Sequence, residues 1–111
     1  MNFAIVDIET TGGHASANGI TEISVFVHDG QRVIKHFETL INPEQTIPRY
    51  ITALTGIDNS MVAGAPTFDE VADTLFEILN DKIFVAHNVN FDYSFVKHHL
   101  KQSGYDLTAK K

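Results

Sequence analysis

The stretch Phe3-Ala4-Ile5-Val6-Asp7-Ile8-Glu9-Thr10-Thr11-Gly12-Gly13 decides how the chain reads. Its first residues form an almost continuous apolar run, the pattern of a central strand with both faces covered. Asp7 and Glu9 break that run near its end. Two residues apart on a strand, their side chains project from the same face. Two acids at the end of a buried strand are costly unless a cation joins them. The glycine turn that follows leaves room above the strand end, where α/β sheets commonly place ligands. An all-oxygen donor set of this kind suits magnesium or manganese. The same residues read equally as a strand that stops at Asp7, with both acids merely exposed.

Working outward, Ile20–His28 alternates, with Ile23, Val25 and Val27 on one face and Ser24 and Phe26 on the other. Asp29-Gly30 is a two-residue hairpin signal. A third strand near Arg32–Ile41 then completes an expected antiparallel meander. Ile47–Leu54 reads as a short helix or irregular turn, closed by Thr55-Gly56-Ile57. After Ala65-Pro66, Thr67-Phe68-Asp69-Glu70 is a capping box, and Phe68, Val71, Ala72, Leu75, Phe76 and Leu79 recur at helical spacing. Asp69, Glu70, Asp73 and Glu77 lie opposite that stripe and read as a solvated face. Ile83–Ala86 is a short strand expected to be buried and to run parallel to its neighbour, and a last helix is predicted over Phe91–Gln102, ended by Ser103-Gly104. The plan is α/β: a mixed sheet made from a meander followed by helix–strand–helix.

Asp92 falls in the first turn of that last helix, where the helix dipole favours an acid in any case. Its placement beyond a parallel strand nevertheless brings it toward the end of the first strand. Three carboxylates meeting there could hold two divalent cations about 3.5–4 Å apart, the arrangement that hydrolyses phosphodiesters.

The chain has 111 residues, 43% hydrophobic and 20% charged, with no cysteine. It is sized for one domain and too apolar for intrinsic disorder. No apolar run is long enough to span a membrane, the opening strand lacks a basic leader, and thiolate metal sites are excluded. A cytoplasmic setting is the expectation, with no membrane contact. Net charge is −6, unevenly spread: residues 1–92 carry 4 basic and 13 acidic side chains, residues 93–111 carry 4 and 1. That balance by itself argues against nucleic acid as a partner, unless some of the acids are metal ligands.

Val6-Asp7-Ile8-Glu9-Thr10-Thr11-Gly12 resembles the first motif of the DEDD 3′–5′ exonucleases, and His87-Asn88-Val89-Asn90-Phe91-Asp92 resembles their second. Ile20-Thr21-Glu22-Ile23 and Leu54-Thr55-Gly56-Ile57 are similar to two further family segments in matching order. The resemblance covers essentially the whole chain and extends to the family group of the polymerase III proofreading (epsilon) subunit. It implies a ribonuclease-H-like sheet and a two-metal (Mg2+ or Mn2+) enzyme removing nucleotides from single-stranded 3′ ends, with DNA favoured over RNA and a polymerase or fused domain as partner. Asp7, Glu9 and Asp92 would be the catalytic metal ligands. Thr10 would hold the terminal nucleotide, Leu54 would press on its base, and Asn88 and Phe91 would shape the pocket wall. Leu54 and Phe91 also read as core, Thr10 as a turn residue and Asn88 as a helix cap.

The family's third motif has no counterpart here. It brings a fourth carboxylate and, in the DEDDh branch, a histidine general base, whereas the only acid after Asp92 is Asp106. His98-His99 match no family position and read as surface or packing residues. Residues 1–111 are therefore expected to be a partial exonuclease domain (motif one at 6–12, motif two at 87–92), lacking about a C-terminal third and nearly inactive alone. The strand–Asp-x-Glu-Thr pattern also resembles the nucleophile motif of haloacid-dehalogenase-like phosphatases, whose downstream lysine and acidic pair are missing. A non-catalytic module binding nucleic acid or a polymerase is the remaining alternative.

Overall fold

Alternating apolar side chains assemble four strands into one sheet. The computed structural model describes residues 1–111, with β1 (Phe3–Thr10), β2 (Ile20–His28), β3 (Val33–Leu40) and β4 (Ile83–Val85) in the order β3-β2-β1-β4. The first three form the expected antiparallel meander, and β4 lies parallel to β1, pairing only with Phe3–Ile5. The sheet leaves the carboxyl end of β1 unpaired on that side, which opens the space where the acids stand.

Four helices follow the meander or flank β4: α1 (Arg49–Thr55), α2 (Asn59–Val62), α3 (Phe68–Leu79) and α4 (Val89–Gln102). The Thr67 amide donates to Glu70 Oε1 at 2.9 Å, closing the reciprocal half of the capping box. Asp69, Glu70, Asp73 and Glu77 all face solvent, as expected. Two elements differ from the sequence reading. α4 begins two residues before Phe91, and α2 was not anticipated; the Asp58 carboxylate nucleates it by accepting from the Met61 amide at 2.9 Å.

The expectation that both faces of β1 are covered is wrong. Ala4, Val6, Ile8 and Thr10 are buried, whereas Ile5 on the other face is 40% exposed, beside Phe26 and Val85 at 38% each. The reason is that α3 and α4 pack on the same side: Ala72, Leu75, Phe95, Val96 and Leu100 join Val6, Val25 and Phe84 in one core. Aliphatic side chains on the open face hid an alternation that burial makes plain.

The hairpin also differs. Its connection is Asp29–Arg32 rather than two residues, because His28 pairs with Val33 across a register shift at Val27/His28. The Asp29 carboxylate accepts from the amides of Gln31 (2.9 Å) and Arg32 (3.0 Å), stabilising the wider turn.

A second register shift lies at Glu9/Thr10, where β2 holds Thr21 as the extra residue. Thr21 is buried, and its hydroxyl is the one buried side-chain polar atom without a hydrogen-bond partner. Pairing resumes beyond the bulge, with Thr10 opposite Ile20 and the Thr11 amide donating to the Gly19 carbonyl at 3.0 Å. The loop between these residues is clasped: Thr11 Oγ1 lies 3.0 Å from Asn18 Oδ1 and 2.8 Å from Gln45 Oε1, and accepts from the Gly19 amide at 3.1 Å.

Candidate active site

β1 fixes the first two acids. Asp7 and Glu9 share its open face, opposite Ser24 and Glu22 of β2. Asp7 is exposed and Glu9 half-buried. Asp92 arrives from the first turn of α4 and is buried, only 7% exposed. The Asp7 charge acts on both of the others. Burial, and then the Asp7 charge, push Asp92 up to about 6; its own amide and that of Ile8, with His87, pull partly the other way. Glu9 is raised by burial first, then by Asp7, Glu22 and Asp92. Acids raised by burial and by neighbouring carboxylates, as Glu9 and Asp92 are, are acids that a cation would relieve.

Glu22 belongs to this set and sequence reasoning missed it. It sits directly across from Glu9, and burial, Glu38 and Asp7 raise its proton affinity. The signal was available in the alternation of β2, since Glu22 shares parity with Ser24 and Phe26 on the open face.

The donor chemistry fits hard divalent cations: carboxylate oxygens, no thiolate, and a buried Asp92 without a cationic partner. The fit is incomplete, because no group of three or more His, Cys, Asp or Glu side chains stands close enough to hold one ion between them. Magnesium commonly takes one or two carboxylates with waters and substrate phosphates completing the shell, which suits acids placed in pairs.

Beside Glu9 lies a pocket of about 380 Å³ whose walls include Glu9, Thr10, Gly12, Tyr50, Leu54 and Phe91. Four predicted residues therefore meet there: Glu9, Thr10, Leu54 and Phe91. Thr10 is buried and its hydroxyl donates to the Gly12 carbonyl at 2.8 Å, so its side chain is spent on the turn. Leu54 is 79% exposed and thus not a core residue. Phe91 is half-buried, its ring centroid 4.9 Å from that of Phe95. Asn88 does not line the pocket; it is exposed at the N-cap of α4 and its side chain makes no capping bond. Tyr50, absent from the sequence reading, is 65% exposed on α1. A second, more polar groove of about 360 Å³ runs between the 15–19 loop and the end of α4, away from the coupled acids.

Comparison with known proteins bears on the family and the fold. Residues 4–111 match the family described as Exonuclease. The 3'-5' exonuclease DinG of Bacillus subtilis (strain 168) is 39% identical over 108 residues, covering 96% of this chain and 12% of that protein. The PolC-type DNA polymerase III of Caldanaerobacter subterraneus subsp. tengcongensis is 42% identical over 102 residues, covering 92% of this chain and 7% of that protein. The chain thus spans a small part of the curated relatives it matches. E. coli Exonuclease I, solved with a dT13 oligonucleotide, superposes with a TM-score of 0.84 at 18% identity over 95% of this chain and 24% of that one. The shared fold is the ribonuclease-H-like sheet. No helix here is long and apolar enough to cross a membrane.

Proposed function

The chain belongs to the exonuclease family matched over residues 4–111, and from that premise we propose that it is a 3′–5′ exonuclease domain working on single-stranded nucleic-acid ends, DNA in preference to RNA. The observation that carries the reading is the placement of Asp7 and Glu9 on the open face of β1 with the buried Asp92 of α4 close enough for the Asp7 charge to act on it.

In this reading Asp7, Glu9 and Asp92 are the residues that would hold two Mg2+ or Mn2+ ions, Asp7 and Glu9 the catalytic one, with Asp7 shared with a second ion that Asp92 would support. Bound ions of this kind supply an activated water and neutralise charge gathering on the scissile phosphate. The Thr10 backbone holds the terminal nucleotide, Leu54 presses on its base, and Phe91 closes the wall; Asn88 lies outside that pocket. No histidine and no acid but Glu9 lines the pocket to orient the water, so these 111 residues by themselves are nearly inactive. The polymerase relative supports a setting beside a polymerase or fused domain, and the cysteine-free composition accords with the cytoplasm.

A second reading, a non-catalytic module on the exonuclease fold, is favoured by the lack of a three-acid cluster within reach of one ion. Hydrolysis of a 3′-labelled single strand separates the two. The expected result is slow, manganese-dependent release of mononucleotide that Asp7→Ala abolishes. Internal or 5′-end cleavage overturns the exonuclease reading, and rapid turnover overturns the incomplete-site argument.

A further inference from the structure

Residues 46–65 hydrogen-bond only to one another. The Ile47 amide donates to Asn59 Oδ1 and the Thr52 hydroxyl to the Ile57 carbonyl, both at 2.8 Å, which knits α1, α2 and the chain around them together. The segment also has a core of its own. Ile47, Ile57 and Val62 form a small buried cluster with Leu40 and Ile51 against it, apart from the main core under the sheet, to which no residue from 42 to 67 contributes. α1 itself buries none of its seven residues. The polar ties to the rest of the fold are confined to the two ends. The Asn42 amide donates to the Pro66 carbonyl at 2.8 Å, and the Gln45 side chain reaches Thr11 Oγ1 at 2.8 Å and the Ala17 carbonyl at 3.3 Å. Between these ties Glu44 has φ 58°, in the left-handed region that disfavours a side chain.

We infer that residues 46–65 open and close as one unit, a lid that turns about Asn42–Gln45 on one side and Pro66 on the other. A body whose hydrogen bonds are satisfied internally breaks few of them on leaving the sheet, so it opens more readily than the strands do. The neck residues absorb the change of direction, as hinge positions do. The lid carries Tyr50, Ile51, Leu54 and Thr55, which line the pocket together with Glu9 and Thr10 of β1. Its opening removes one wall of that pocket and gives access to Glu9 from that side. The opening follows from how the segment is held, whatever fills the pocket.

The test is amide hydrogen exchange, followed by NMR on the whole chain in wild type, Ile23→Val and Ile57→Val. Ile23 lies in the core under the sheet and Ile57 in the lid cluster. A molecule with its lid open keeps the sheet core, so Ile23→Val leaves lid opening unchanged and speeds only exchange that needs global unfolding. In wild type the hydrogen-bonded amides of Ile47, Thr52 and Gly56 are expected to be at least about a hundredfold less protected than those of β1 and β2. Ile23→Val should speed the strand amides about fivefold and leave the three lid amides unchanged, whereas Ile57→Val should speed the lid amides by a similar factor. If Ile23→Val speeds lid and strand amides equally, the segment unfolds only with the whole domain and the inference is overturned. Thymidine monophosphate with manganese supplies a second arm. A nucleotide gripped between lid and Glu9 is lost on opening, so it slows lid and strand amides alike. Slowing of the strands alone means that the segment does not close on the nucleotide, and overturns its role as a lid. Slowing of neither overturns the exonuclease reading, and the free protein's exchange still decides the opening.

Discussion

His99 Nε2 lies 2.9 Å from the carbonyl oxygen of Asn18. A carbonyl only accepts, so Nε2 carries the proton. The bond joins α4, which brings Asp92, to the loop that follows Glu9 and Thr10, and so couples the two halves of the acid set. His98 stands beside it, and the Phe68 and Phe95 rings flank it at 5.5 and 6.1 Å. Burial holds His99 below its ordinary value. A histidine depressed in the folded state is neutral there while the unfolded chain takes up a proton. Its contribution is therefore full above about pH 6.5 and declines as pH falls below that. His99→Gln, which keeps an amide donor, is expected to remove this acid decline, whereas His99→Ala costs about 1–3 kcal/mol at neutral pH. Thermal melts from pH 4.5 to 8 check both.

Asp92 works with the opposite sign. Its folded value of about 6 lies above the ordinary 3.8, so without metal it favours the fold most below that ordinary value and loses the advantage as pH rises through about 6. Asp92→Asn is expected to raise the melting temperature of the metal-free protein at pH 7.5 and to change it little at pH 4. Manganese should stabilise wild type more at pH 7.5 than at pH 5, and fail to stabilise Asp92→Asn. Scanning calorimetry with and without manganese decides this; an equal manganese shift in the variant contradicts a metal role for Asp92.

Gly12 is required by contact rather than by backbone freedom. A Cβ there would stand 2.5 Å from Asn18 Oδ1, displacing the side chain that meets Thr11 Oγ1. Gly12→Ala is expected to cost about 1–3 kcal/mol and to weaken mononucleotide binding. In Gly12→Ala/Asn18→Ala the two losses should add to less than their sum, since the clash goes with the Asn18 side chain. A denaturant-melt double-mutant cycle measures the coupling.

Much of the fold was legible because it is written in short-range pattern. The alternation of Ile20–His28, the capping box at Thr67–Glu70 and the amphipathic face after it each dictate local structure, and the strands and α3 formed where those signals lie. What failed depended on distant packing. Ile5 and Val85 read as buried because nothing local says that α3 and α4 choose one side. The Asp29 turn widened because a register shift two residues earlier changed what His28 pairs with. At the site, Asp7, Glu9 and Asp92 were readable as acids out of place. Glu22 was readable only as to its face, from the alternation of β2, because its place opposite Glu9 comes from cross-strand register; Tyr50 was not readable, because it enters through the placement of α1 beside the pocket.

The central claim is that the coupled acids bind a nucleotide through divalent metal. Isothermal titration of thymidine monophosphate into the protein, with and without manganese and in wild type and Asp7→Asn, tests it most directly. The account predicts binding by wild type only when manganese is present, and none by Asp7→Asn in either condition. Binding of equal strength without metal, undiminished in Asp7→Asn, would contradict it and favour the non-catalytic module.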